Sequence, residues 1–466
     1  MKFFSRFFNK KYMTVTDENG KLNIFGLAIP LFLESIGVHL VGVVQTMMSS
    51  HYAGGFFVIP TSVVTSVMTI YLAIIGMSYG GMSIILSICI GRNKSEDCKS
   101  IIGTTLISGV IFAVLVGILM LVFIEPLLAF MGANSPEYLP YKEYAITYYY
   151  YRVPAIIISV ITSTLSTALR CYGHTKVGLY CSLTANVVNA VVTALAMFVF
   201  CAPQEYMGHG LGAISLFSAI LNALLVFFYF KHRKIKTNMR FSRRWCKNIY
   251  KIGFPSMMSS IFYTLGQTIT ASLTLSLAPS AFLAKNYVGQ LVYFVYIFGY
   301  SLGQANAIIT GRVCGKGDFE FADNMNKQNT RITVAIDVAL SCLLVLVGPT
   351  LLRLMYNADE SVIAYAQIAL LIDIIVEAGR GLSHVSQYAL NSAGDVRFTT
   401  AIMMTTCGIF TICCGYLFTA LGFGLAGIWV SFALDEMVRG IVFFIRWKKG
   451  GWKKRFASSL ESMEKG

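Results

Sequence analysis

Residues 101–124 read IIGTTLISGVIFAVLVGILMLVFI, a run of 24 positions without one charged side chain. A helix of this length, rising about 1.5 Å per residue, crosses the roughly 30 Å hydrocarbon core of a bilayer. The apolar residues are continuous and not alternating, which excludes a strand of a membrane barrel. Eleven more stretches of this kind lie near 24–48, 56–79, 143–165, 177–200, 210–230, 252–274, 281–308, 330–352, 362–389, 398–420 and 424–445. The pattern predicts an all-α, polytopic membrane protein with twelve transmembrane helices. Composition agrees: of 466 residues, 56% are hydrophobic and 13% charged, against about 25% charged in ordinary globular proteins. A soluble chain could not cover its surface with so few charges, and disorder requires low hydrophobicity.

The net charge of +15 is explained by its placement. Of 37 Lys and Arg, 31 fall in 1–22, 91–100, 170–176, 231–251, 312–331, at Arg397 and from Arg446 onward. These are alternate loops and both ends, the positive-inside pattern of an even-span protein with cytoplasmic termini. The expectation is a multi-pass protein of the plasma membrane, in a bacterium the inner membrane. The partner of the basic charge is then the lipid bilayer, and nucleic acid is excluded. The 11 cysteines, most of them in apolar stretches, show no C-x-x-C spacing and read as small buried hydrophobes, not a disulfide or zinc framework. Residues 1–20 lack the apolar core and cleavage site of a signal peptide.

The chain also repeats itself. Ala28-Ile29-Pro30 returns as Gly253-Phe254-Pro255. Leu169-Arg170-Cys171-Tyr172-Gly173-His174-Thr175-Lys176 returns as Leu390-Asn391-Ser392-Ala393-Gly394-Asp395-Val396-Arg397. Gly208-His209-Gly210-Leu211-Gly212-Ala213-Ile214 returns as Gly422-Phe423-Gly424-Leu425-Ala426-Gly427-Ile428, with offsets of 225, 221 and 214 for the three pairs. Two pseudo-symmetric six-helix bundles follow: a basic N-terminus at 1–22, an N-lobe at 23–230, a basic linker at 231–251, a C-lobe at 252–446 and a basic C-terminus at 447–466. Parallel repeats around a central cleft are the alternating-access architecture of secondary transporters. No G-x-x-x-x-G-K-[ST] occurs, so the chain cannot itself run on ATP, and no selectivity-filter loop marks a channel. H-E-x-x-H and G-x-S-x-G are absent as well, so no enzyme is expected. The six His are too scattered to form a metal cluster.

These repeated elements resemble the multidrug and toxic compound extrusion (MATE) transporters of the MOP flippase superfamily. The paired prolines carry the resemblance, as do the turn Gly91-Arg92-Asn93-Lys94-Ser95-Glu96 with its counterpart Gly315-Lys316-Gly317-Asp318-Phe319-Glu320, and the two glycine motifs above. It extends over about 22–446. The resemblance implies a two-lobed exporter that uses a proton or sodium gradient against organic, commonly cationic, substrates. It also implies acidic residues that are replaced here: Gln45 stands at the family's first-span Asp, Thr193 four residues after Asn189 at its fifth-span Asp, Tyr263 near the seventh-span acid and Arg380 near the tenth-span acid.

Other ionisable groups remain inside the spans, where each costs roughly 2.5–3.5 kcal/mol on insertion scales and needs a partner or a wet cavity. Asp373, Glu377, Arg380 and His384 follow one another at steps of 4, 3 and 4, which places them on one helix face. The row either lines the central cleft or is a structural ion pair locking its helix to a neighbour. Glu34 shares a face with Gln45 and reads equally as a functional or a snorkelling carboxylate, and His39 as a packing or a proton-coupling residue. Tyr263 and Gln267 form one polar face of the seventh span, and Lys285 near the outer end of the eighth snorkels or meets anionic substrate groups. Tyr148 to Tyr151 read as an aromatic belt. Asp337 and the pair Asp435-Glu436 face neighbouring helices, with no partner identified.

The expected function is a secondary active antiporter exporting amphipathic organic compounds or drugs, coupled to H+ or Na+. It would have no other cofactor, small organic substrates as its soluble partners, and act as a monomer. Coupling residues are drawn from the Glu377–Arg380–His384 row together with Glu34. Export of anionic metabolites, or flipping of a lipid-linked precursor, are the alternatives.

Overall fold

Each of the twelve apolar stretches falls on a helix in the computed structural model, which describes residues 9–17, 20–53, 55–130, 142–200, 206–356 and 358–465. In chain order the helices are α1 (Ile24–Ala53), α2 (Gly55–Gly91), α3 (Ser95–Val122), a short α4 (Ile124–Phe130), α5 (Lys142–Cys171), α6 (Thr175–Ala194) and α7 (Met207–His232). Then follow α8 (Arg243–Leu277), α9 (Pro279–Gly315), α10 (Phe319–Tyr356), α11 (Glu360–Ser392), α12 (Val396–Thr406), α13 (Gly415–Ala420), α14 (Gly424–Lys448) and α15 (Gly451–Lys465). Among the described residues, 10 helical segments are long and apolar enough to span a membrane. The remaining two expected spans are α8, diluted by Ser, Thr and Gln, and α14, which carries Asp435, Glu436 and Arg439 in mid-length. Large side chains such as Leu346 and Leu354 stay more than three-quarters exposed, as lipid-facing positions must.

The repeats extend to atomic detail. At the α5–α6 turn Gly173 takes φ +91°, and at the α11–α12 turn Gly394 takes φ +82°. His174 N donates to Leu169 O at 2.8 Å and Asp395 N to Leu390 O at 3.0 Å, so one helix-ending turn is built twice. Asn93 (φ 57°) and Gly317 (φ 84°) occupy corresponding left-handed positions after α2 and α9. A π-helical stretch closes the fifth span at Leu195–Val199, and another, Cys407–Cys414, interrupts the eleventh between α12 and α13.

The chain divides into two compact units. One comprises Leu33–Leu86 and Ser95–Gly253, the other Met1–Phe32, Ser87–Lys94 and Phe254–Gly466. The basic stretch 231–251 thus packs with the first unit, and the turn after α2 with the second. In the first unit Val64, Met68 and Tyr71 of α2 pack with Ala113 of α3, Leu128 of α4 and Tyr149 and Ile156 of α5. In the second, Val288 and Leu291 of α9, Leu352 of α10, Ala366 and Leu370 of α11 and Ile428 and Trp429 of α14 form the core.

Described residues near both ends pack within the second unit. A hairpin pairs β1 (Thr14–Asp17) with β2 (Gly20–Asn23) in the register Thr14↔Asn23. Lys316 Nζ donates to Thr16 O at 3.0 Å. The C-terminal stretch forms the amphipathic α15: Trp452 stacks on Trp447 at 4.1 Å, and Phe319 packs edge-on to Trp452 and Phe456.

Candidate functional site

Close backbone approach brings α11 and α14 together. A Cβ on Gly379 would lie 2.7 Å from the backbone of Glu436, and one on Gly440 would lie 2.8 Å from Gly379 O. Glycine at both positions lets the helices meet without intervening side chains, and the polar faces of both turn into the seam. Such small-residue contacts are the usual means of close packing between membrane helices.

Along this seam the tenth-span row meets a second cluster on α14. Arg380 Nη1 donates to Glu377 Oε1, one turn back on α11. Its Nε lies 3.6 Å from Glu436 Oε1 of α14. Glu436 is paired with Arg439 on its own helix and accepts from Ser383 Oγ at 3.1 Å. Arg439 Nη1 reaches Asp435 Oδ1 at 3.3 Å, and Asp435 Oδ2 accepts from Thr411 Oγ1 at 2.8 Å. Thr411 sits within the π-helical stretch, and π-bulges often re-aim side chains in this way at functional sites. Asp373 accepts from Trp429 Nε1 at 3.2 Å. Glu377, Asp373, Asp435, Glu436 and Arg439 are all buried, and the Arg380 side chain keeps 13% exposure.

Aromatic rings wall the network. The Arg380 guanidinium lies 5.4 Å from the Tyr296 ring centre, a cation–π distance. His384 meets Tyr296 and Tyr300 edge-on at 5.3 and 6.0 Å. Tyr263 of α8 lies within electrostatic reach of Arg380, Glu436 and Arg439. Tyr263 and Arg380, the seventh- and tenth-span positions where the resemblance implies an acid, are therefore within electrostatic reach of each other. The negative charge itself comes from different places, on α11 and α14.

The structure thus gathers Tyr263, Asp373, Glu377, Arg380 and His384 into one place. Asp373 reaches across to Trp429 of α14, whereas Glu377 is held by Arg380 of its own helix. The cluster contains more carboxylates than guanidinium groups, with Asp373, Glu377, Asp435 and Glu436 beside Arg380 and Arg439. Gln267 is half-buried on α8. Lys285 is half-buried near the start of α9, about 16 Å of helix before Tyr296. Glu34 and Gln45 belong to the other unit. There both Glu34 oxygens accept from Arg170 Nη2 at 2.8 Å, and Gln45 Nε2 donates to Asn189 Oδ1. The first-span position therefore pairs with Asn189 in an amide contact that carries no titratable proton, four residues before Thr193 at the fifth-span Asp position. Tyr149 is buried and Tyr150 exposed, so the tyrosine run does not present one face.

Sequence reading overlooked Arg439, although Asp435, Glu436 and Arg439 stand at i, i+3 and i+4 spacings that announce a one-helix ion cluster. It also left Arg170 among the topology charges, and nothing local points from Arg170 to Glu34. Among the described residues, no group of three His, Cys, Asp or Glu is disposed to hold a metal ion.

The family model MatE matches residues 30–195 and again 255–417. The chain belongs to the MATE family of transporters. The double match follows the internal repeat. Over 441 residues the chain is 26% identical to the "Uncharacterized transporter YisQ" of Bacillus subtilis (strain 168), covering 92% of this chain and 94% of that one. It is 21% identical to the "Probable multidrug resistance protein NorM" of the same organism, over 91% of this chain and 94% of the relative. Among solved structures, a MOP superfamily transporter from Pyrococcus furiosus, described under the words "Reverse polarity of binding pocket suggests different function", superposes with a TM-score of 0.84 at 17% identity. That match covers 94% of this chain and 96% of the other. This MATE protein is a multi-pass membrane transporter, and transport is a non-enzymatic role.

Proposed function

We propose that this MATE protein is a secondary active antiporter that exports amphipathic organic compounds across the plasma membrane by alternating access, driven by a proton or sodium gradient. The observation that carries the coupling is a charge count inside the membrane. Asp337, Asp373, Glu377, Asp435 and Glu436 place five carboxylates in one unit beside two guanidinium groups, Arg380 and Arg439. Uncompensated charge in this setting is strongly unfavourable, so the cluster reaches neutrality only with cations bound.

The coupling step uses contacts already present. Arg380 is bound to Glu377, and Glu436 stands 3.6 Å from its Nε. A cation arriving at Glu377 cancels the attraction that holds Arg380, and the guanidinium swings toward Glu436. That exchange of partners shifts the seam between α11 and α14 and biases the alternating-access equilibrium. His384 extends the row among the tyrosines. In the other unit Glu34 is held by Arg170, and the Gln45–Asn189 pair carries no charge. Export of drugs is supported by the name of the relative NorM, a probable multidrug resistance protein, and the excess of carboxylates suits organic cations as cargo.

The partial exposure of Arg380 beside Tyr296 favours a second reading, export of anionic compounds. Flux in liposomes carrying the purified protein separates the two. A cationic dye should be exported under an imposed proton or sodium gradient and be competed by other organic cations. Competition by organic acids alone would establish the second reading, and flux indifferent to both gradients would overturn the coupling.

A further inference from the structure

We propose that Asp337, in the middle of α10, is a proton-carrying site distinct from the Glu377–Arg380 pair, enclosed by α9, α10 and α11. The inference rests on the cation-coupled reading above and adds a group to it. Asp337 is fully buried, and among the described residues none donates a hydrogen bond to either of its carboxylate oxygens. Its walls are unusual. A Cβ on Gly299 of α9 would lie 2.7 Å from Asp337 Oδ2, and one on Gly381 of α11 would lie 3.1 Å from the same atom. Two glycines on two different helices thus clear the space the carboxyl occupies. The charged groups acting on Asp337 are Glu377 and Arg380 of α11, and α9 presents Gly299 to it.

A carboxylate ion in this position would be a buried charge with neither donor nor counter-ion in contact, among the costliest arrangements a membrane interior can contain. Binding one proton from water converts it to a neutral acid without further partners. A sodium ion would instead need several oxygen ligands, and the glycine walls supply no side-chain oxygen.

The site also lies on a polar track. Asn326, Asn329, Thr330, Thr333, Asp337 and Ser341 are all buried and run along one face of α10. Asn306 of α9 donates to Asn326 and accepts from Asn329, each at 2.8 Å. Thr333 Oγ1 donates to Asn329 O at 2.9 Å. This ladder runs from near the turn between α9 and α10 to Thr333, one helical turn short of Asp337, and gives an exchanging proton hydrogen-bonding partners over that stretch.

The test is infrared difference spectroscopy of the full-length protein in lipid, reading the C=O stretch of protonated carboxyls that shifts in heavy water. Asp337→Asn should lose one such band, and Gly299→Ala, which presses a methyl group against Oδ2, should move it. Asp337→Asn should also lose export of a cationic dye driven by a pH gradient. Gly299→Ala keeps the test decisive if the first variant fails to fold. An unchanged band in both variants, abolition of the wild-type band by sodium chloride, or wild-type export by Asp337→Asn would each overturn the proposal. Absence of gradient-driven export in the wild-type protein would sink the transport reading instead, while the band would still report on Asp337.

Discussion

Arg380 of α11 and Glu436 of α14 stand 3.6 Å apart, close enough to attract as charges and just outside hydrogen-bond reach. Each already has a nearer partner on its own helix, Glu377 and Arg439. The contact between the helices is therefore a second-choice pair, held ready by two first-choice pairs.

Arg439 should be the most costly single loss in the seam. Arg439→Met leaves Asp435 and Glu436 buried without their cation, and breaking such a pair costs about 3–5 kcal/mol. The melting temperature in detergent should fall accordingly. Combining it with Glu436→Gln should cost less than the sum of the two changes, because the second removes a charge the first had stranded.

Backbone proximity yields an independent prediction. Gly379→Ala places a methyl group 2.7 Å from the main chain of Glu436, and a main chain cannot rotate away as a side chain can. A loss of about 1–3 kcal/mol is expected, with thermal melting as the readout. Gly408→Ala, whose Cβ would meet nothing within 4 Å, serves as the control and should melt near the wild type.

The fold was legible because its signal is physically redundant: twelve apolar runs, charge in alternate loops and a repeated set of turns all say the same thing. The Asp373–His384 row was legible too, since helical periodicity is a local property. Its partners were not. Glu436 lies 56 positions after Arg380, and only the packing of Gly379 against α14 brings them together. The π-helical stretch that aims Thr411 at Asp435 has no compositional mark, whereas the pairing of Arg439 with Asp435 and Glu436 is written in their spacing. The tail after Arg446 reads as merely basic, yet Trp452 and Phe456, one turn apart, give α15 its docking face.

Removal of the Trp429 indole donor tests the outer end of the row. Trp429→Phe keeps most of the apolar bulk and leaves Asp373 Oδ1 without its 3.2 Å donor. A hydrogen bond to a charged group is worth about 1.5–3 kcal/mol, so the melting temperature should drop. Adding Asp373→Asn should recover part of the loss.

Docking of α15 should depend on acidity. Lys94 and Arg92, each 2.8 Å from Glu464, hold that carboxyl below the usual glutamate range. A depressed folded value means the contact stabilises fully above the unfolded value of about 4.3 and is lost as pH falls through the folded one. Hydrogen exchange across residues 451–465 should therefore rise on acidification below that range. Glu464→Gln should exchange faster at neutral pH and lose this acid dependence, and added salt should mimic it.

The most direct test of the coupling is flux through Glu377→Gln in liposomes, compared with the wild type under an imposed gradient and under substrate concentration alone. The account predicts that the variant loses gradient-driven accumulation but still passes substrate downhill, since Arg380 no longer has a carboxylate to leave. Gradient-driven export at the wild-type rate would contradict it.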